Sequence, residues 1–250
     1  MMNESLESRF KLFMKSAAFA ESIDEILRRD TTEDRKRADY LLFERTVVAE
    51  LKSLNKDPSD KVYAELDKHR YREDYPVVYG QLGLQPILKT LPDGKVINRT
   101  IFFKITRQVK RMIRNADEQI ASTKEIFKLS GSVGLLILLN ENLEILSPSV
   151  ILYRVSQYIE YSKSPDNYKE NINFVWLISE SHTAEALHFR DAKPSILLSG
   201  SSSEEYKWFI PLFDKLQLAC AKFNNYPLIQ TEISSLESIS FVPASQKDAI

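Results

Sequence analysis

The sequence predicts an α/β protein in which a central mixed β-sheet is flanked by helices. Three observations lead to this class. Apolar residues recur at helical intervals over 5–29, 104–129, 148–162 and 204–223. Between them lie short β-branched or continuously apolar runs at 46–54, 134–139, 172–179 and 195–199. Strand and helix signals alternate along the chain, as in a sheet with helices packed on its faces.

Taken in order, Ser5 to Arg29 reads as one helix, with Leu6, Phe10, Phe13, Met14, Ala17, Ala20 and Leu27 on a common face. The polar run Asp30 to Asp34 ends it. Ala38 to Phe43 and Thr46 to Leu54 read as two strands. Glu44 and Arg45 would turn between them, although neither is a good turn former. Asp57-Pro58-Ser59 opens a helix that continues to Arg72. Pro76, Gly80, Gly83 and Pro86 make 75–91 partly loop. Leu91 to Gly94 is a turn, and Lys95 to Phe103 reads as a strand.

Lys104 to Leu129 is the clearest helix, with Ile105, Val109, Met112, Ile113, Ala116 and Ile120 in one stripe and Gly131 as its C-terminal glycine. Gly134 to Leu139 is a fully buried strand. A helix over Pro148 to Ser162 follows, then strands over Ile172 to Ser179 and Ser195 to Ser199. Ser181 to Arg190 reads as a polar loop or short helix. Glu204 to Phe223 is a helix with a kink at Pro211. Val242 to Ile250 frays.

Of the 250 residues, 43% are hydrophobic and 28% charged, enough for a substantial core under a polar surface. Residues 1–146 are expected to form a core carrying an inserted segment at about 55–100. Residues 147–250 form a C-terminal α/β part packed on it as one composite domain, since no Gly-, Ser- or Pro-rich linker divides them. No apolar run approaches the roughly 20 residues that span a bilayer, so no membrane partner is expected. Charged residues interrupt every apolar run near the N-terminus, unlike a secretory signal, and cytoplasmic residence is expected. One cysteine, Cys220, excludes an internal disulfide and reads as a packed thiol. A net charge of −1 argues against a passive nucleic-acid scaffold but not against an enzyme with a local basic cleft. Gly-x-Ser-x-Gly, P-loop and Gly-x-Gly-x-x-Gly patterns are absent from the sequence, and six glycines leave little material for phosphate-cradling loops. His182 and His188 lack the spacing of a helical metal pair and read as surface residues.

The most informative segment runs from Arg37 to Lys52. In a strand, residues two apart share a face, so Glu50 and Lys52 point one way while Val47, Ala49 and Leu51 point into apolar packing. If the two strands pair as a hairpin, Asp39 converges with them. Two carboxylates there supply hard oxygen ligands for Mg²⁺ or Mn²⁺, and an ammonium can orient a water or stabilise developing negative charge.

Asp39 followed by Glu50-Leu51-Lys52 in the next strand resembles the signature of the PD-(D/E)XK nuclease superfamily, the restriction-endonuclease-like fold. Ala38 stands where that family often has proline. A helix before the motif, a helix after it bearing Gln119, Thr123 and Lys124, and the apolar strand 134–139 extend the resemblance over roughly residues 8–140. The segment between Lys52 and Lys104 is an insertion relative to a minimal core. The resemblance implies metal-dependent hydrolysis of phosphodiester bonds, in DNA rather than RNA, with defence or repair as natural settings. It further implies Asp39 and Glu50 as metal ligands, Lys52 as the water-orienting group and Gln119 in support. Glu21, from the first helix, is a further acid, with Glu25 a weaker alternative.

Arg35, Lys36 and Arg37 lie just before Asp39 and are expected to meet nucleic-acid phosphates. Arg107, Lys110, Arg111 and Arg114 line one helix face at i, i+3, i+4 and i+7. Such a stripe could follow a phosphate backbone, but it lies opposite the apolar stripe, where solvated charges belong. A rival reading is an inactive nuclease-like binding or assembly module. For it, the apolar helix 204–223, with Trp208, Phe209 and Phe213, could dock a partner, including a second copy as a homodimer.

Overall fold

Val47 to Ser53 forms a strand whose alternate residues enter two different cores, which makes it the natural centre of a layered fold. The computed structural model describes residues 4–27, 36–77, 83–162, 171–186, 189–199, 206–229 and 239–249. Its main sheet contains β1 (Ala20–Ser22), β2 (Tyr40–Leu42), β3 (Val47–Ser53), β4 (Val133–Asn140), β5 (Phe174–Ser179) and β8 (Ser195–Ser199), in spatial order β1-β2-β3-β4-β5-β8. The pairs β3–β4 and β4–β5 are parallel, and β1–β2, β2–β3 and β5–β8 are antiparallel. The protein is therefore α/β with a mixed six-stranded sheet. Strands from 147–250 extend the same sheet that holds the Asp39 hairpin. A second sheet, in order β7-β6-β9, contains β6 (His182–Ala186), β7 (Phe189–Ala192) and β9 (Ser240–Pro243).

Helices cover both faces. On one lie α6 (Arg107–Ile126) and α7 (Pro148–Ser162), over Val48, Leu136, Leu138, Val175 and Leu177. The insertion adds α3 (Ser59–Leu66), α4 (Leu84–Thr90) and α5 (Gly94–Ile105) to this side. On the other face, α1 (Leu6–Ser16) and α8 (Phe209–Phe223) cover Val47, Ala49, Leu51, Leu135, Ile137 and Trp176. All eight residues of β4 are buried, as expected of a parallel strand covered on both faces.

The structure revises several boundaries. The first helix stops at Ser16, and Ala20–Ser22 adds instead to the sheet edge as β1, followed by the short helix α2 (Ile23–Ile26). Phe19 stacks on Phe43 at 4.8 Å, and Phe43 N–H donates to the Phe19 carbonyl, so tertiary pairing overrides a helical pattern that continues past residue 17. Lys95–Phe103 is helix, not strand. Ile97, Ile101 and Ile105 are buried at intervals of four, a period obscured by the β-branched content. Thr106 separates α5 from α6, and its hydroxyl donates to the Phe102 carbonyl.

The glycine expected to close α6 does not do so. Lys128, at φ 56°, takes the left-handed position, and Leu129 N–H donates to the Lys124 carbonyl at 2.8 Å. Pro211 causes no break, because it falls in the first turn of α8, where its missing N–H is not needed. The loop expected over 181–190 supplies β6 and β7, and the C-terminal segment supplies β9 and a 3-10 turn over Ala244–Ala249. Ser245 donates to the Glu144 carboxylate from its N–H at 2.8 Å and its hydroxyl at 2.7 Å. His188 lies outside the described residues.

The β2–β3 turn forms where weak turn residues were expected. Phe43, Glu44 and Arg45 all have positive φ (50°, 54° and 66°). Non-glycine residues in this region cost about 1 kcal/mol each. The Phe19–Phe43 stack and a two-point contact from Arg45 to Glu21, at 3.2 and 2.8 Å, hold them there.

Candidate active site

The hairpin register places Tyr40 opposite Ala49, so Asp39 comes opposite Glu50 just before β2 begins. Asp39 N–H donates to the Ala49 carbonyl at 3.2 Å, and Asp39 Oδ2 accepts from Leu51 N–H at 2.8 Å. The carboxylate is thereby fixed at the strand start. On β3, Glu50 and Lys52 face α6, while Val47, Ala49 and Leu51 enter the opposite core. Lys52 Nζ pairs with Glu50 Oε1 and donates to Gln119 Oε1 at 2.8 Å.

Helix α6 holds the other side. Gln119 Nε2 donates to the Arg37 carbonyl at 2.8 Å. One turn on, fully buried Thr123 accepts from Ala38 N–H at 2.8 Å through its hydroxyl. One helix therefore clamps the backbone that precedes Asp39 and also aims Lys52. The sequence places Thr123 on the helix that follows the motif, but its contact with Ala38 depends on where α6 crosses the sheet.

The electrostatics are those of a crowded carboxylate pair. Glu50 is 1% exposed, and burial, then the neighbouring Asp39 charge, push its carboxyl up to about 8, with Lys52 opposing. Burial also raises the Asp39 carboxyl, against the Leu51 N–H and the Lys52 charge. Glu50 Oε2 is buried beside Asp39 with no ordinary hydrogen bond. A divalent cation would satisfy that oxygen and relieve the repulsion between the two carboxyl groups. Among the described residues no three His, Cys, Asp or Glu side chains gather at one point. The donor set is thus the pair itself, which suits Mg²⁺, an ion commonly held by one or two carboxylates together with waters and substrate phosphate.

The other expected site residues fall elsewhere. Glu21 lies on β1 rather than on a helix, and Arg45 engages its carboxylate. Glu25 is exposed on α2. Lys36 pairs with Glu118 at 2.9 Å and Arg37 with Asp24 at 3.5 Å, so both cations already have acidic partners. Arg35 lies outside the described residues. Burial pushes the Cys220 thiol up to about 12, consistent with a packed rather than nucleophilic cysteine. His182 is buried, not on the surface, and its Nδ1 lies 2.9 Å from the Ser181 hydroxyl.

Among the described residues no helix is long and apolar enough to cross a membrane. No known family, curated protein or solved structure matches the chain.

Proposed function

We propose that this chain is a metal-dependent nuclease of PD-(D/E)XK type that hydrolyses phosphodiester bonds, in DNA rather than RNA. The observation that carries the reading is the convergence of Asp39, Glu50, Lys52 and Gln119, from two strands and a distant helix, around one buried carboxylate. The strand order, with an antiparallel hairpin followed through α6 by a parallel strand, is consistent with it.

Asp39 and Glu50 would hold Mg²⁺ or Mn²⁺. Such an ion, when bound, polarises a phosphate and acidifies a coordinated water. Lys52, held between Glu50 and Gln119, places an ammonium where it can donate to an attacking water or to the charge developing on phosphate. Gln119 fixes the direction of that ammonium.

A second reading has its own observation. Glu50 is 1% exposed, and the Lys52 side chain, 23% exposed, is held against α6 by Gln119. A nuclease-like module that binds without cutting would have such a site.

Titration calorimetry with Mn²⁺, alone and with an oligonucleotide, separates the two readings when wild type is compared with Asp39→Ala/Glu50→Ala. Mn²⁺-dependent cleavage by wild type, with metal binding lost in the folded double variant and cleavage lost in Lys52→Ala, supports the enzyme. Nucleic-acid binding without metal binding or cleavage supports the inactive module.

A further inference from the structure

Residues 94–116 contain seven cationic side chains and no acidic one, in a chain of net charge −1. The fold turns this bias into a surface. Arg107, Lys110, Arg111 and Arg114 are exposed along α6. Arg114 reaches Glu118 at 3.4 Å, whereas the other three have no acidic partner among the described residues. From Arg107 to Arg114 the row spans about 10 Å of helix axis. Arg107, Lys110 and Arg111 thus differ from Lys36 and Arg37, whose charges are answered locally.

Exposed aromatic groups lie on α5 and α7, the helices that adjoin α6. Phe103, 39% exposed, sits one turn before Arg107, with the Arg99 and Arg154 guanidinium groups over its ring at 5.6 and 5.2 Å. Tyr153, 58% exposed on α7, meets Phe102 edge to face at 5.4 Å, which fixes its ring while leaving it open to solvent. A purely solvated helix face requires no such rings. Cations that follow a phosphate backbone, with open rings and guanidinium planes on which unpaired bases can stack, are the recognition chemistry of single-stranded nucleic acid.

We propose that the α5–α6–α7 surface binds single-stranded nucleic acid through Arg107, Lys110, Arg111 and Arg114, with Tyr153 and the Arg99–Phe103–Arg154 stack as base platforms. The inference rests on the nucleic-acid reading of the Asp39 site and names its substrate class. The same helix that presents the cations carries Gln119, about 12 Å further along its axis from Arg111. A strand held on the basic row therefore lies on the element that shapes the site.

The test is fluorescence anisotropy with a labelled 20-nucleotide oligothymidine and with a duplex of equal length, in EDTA so that neither metal nor cleavage is needed. Wild type is expected to prefer the single strand at least tenfold. The logarithm of its affinity should fall against log salt with a slope of about −3, as four phosphate contacts require. Arg107→Glu/Arg111→Glu should weaken binding at least thirtyfold, and Arg107→Gln/Arg111→Gln about tenfold, with unchanged circular dichroism. Tyr153→Ala should weaken it about tenfold while leaving the salt slope in place. Absent binding at 50 mM salt, equal binding by the charge variants, or equal affinity for duplex would each overturn the proposal. So would binding to phosphatidylserine vesicles without binding to the oligonucleotide, which would reassign the surface to a membrane. A failed metal titration would count against the nuclease reading and leave this result standing.

Discussion

Replacing Glu50 with glutamine should stabilise the folded protein above neutral pH while removing the proposed metal site. The Glu50 carboxyl is displaced from 4.5 to about 8, and the side chain is 1% exposed. Between those values the folded state holds a proton that the unfolded state has released. Stability therefore falls as pH rises through this window, and the loss is complete above about pH 8. A displacement of this size corresponds to roughly 5 kcal/mol at full ionisation, which is a ceiling. Water entry and the Lys52 pairing lower it, so a gain of roughly 1–3 kcal/mol is expected for Glu50→Gln at pH 9 and almost none at pH 5. Urea unfolding of both proteins in EDTA at pH 5, 6.5, 8 and 9 measures it. Wild type should lose stability towards pH 9 relative to the variant. Taking the difference removes the titrating groups that are not coupled to Glu50, leaving Glu50 with its neighbours Asp39 and Lys52. Mn²⁺ should then restore wild type at pH 9 more than at pH 6.5, since binding needs the ionised carboxylate, and should not stabilise the variant. Parallel pH profiles, or a variant less stable than wild type at pH 9, would refute the burial argument.

Three further outcomes follow from local geometry. Gly134→Ala should destabilise the fold by about 3 kcal/mol or more, because its Cβ would lie 1.8 Å from the Asn171 carbonyl oxygen. Gly131→Ala should be nearly neutral, since nothing lies within 4 Å of its Cβ. Thermal melts of the two variants compare them directly. Lys128→Gly should raise stability by about 1 kcal/mol in urea unfolding by relieving the left-handed φ of 56° at the end of α6, and an unchanged midpoint would show that the site carries no strain. His182 is held neutral by burial, its imidazole lowered from 6.5, so the unfolded state binds the proton first and stability falls as pH drops below about 6.5. Unfolding of His182→Gln over pH 5–7 should be flatter than that of wild type, and an equal slope would assign the acid sensitivity elsewhere.

Strand β3 serves both the core and the candidate site. Its alternation places Leu51 in one core and Glu50 in the other, so the strand that best anchors the sheet also buries a charge. The clamp from Gln119 and Thr123 to residues 37 and 38 holds the opposing carboxylate close despite repulsion. Holding two carboxyl groups together in this way costs folding free energy; under the proposed function, a bound Mg²⁺ or Mn²⁺ would offset that cost.

The sequence by itself determined the class and the inner elements. The period-two pattern of 47–53, the uninterrupted apolar run of β4 and the long stripe of α6 each have enough apolar residues for local pattern to decide their state. It also singled out Asp39, Glu50 and Lys52, because charged residues in or at the start of an apolar strand stand out locally, and Gln119, a polar residue bordering an apolar helical stripe. Only the tertiary structure decided the rest. Ala20–Ser22 left a helical pattern because a sheet edge offered hydrogen bonds, and Phe43 to Arg45 took left-handed angles because Phe19 and Glu21 hold them. Glu21 and the Lys36–Arg37 pair were drawn to Arg45, Glu118 and Asp24, partners close in space but distant in sequence or on another element. Periodicity reports which face of an element is apolar; which other element covers that face, and which charges it brings, depends on packing between distant parts of the chain.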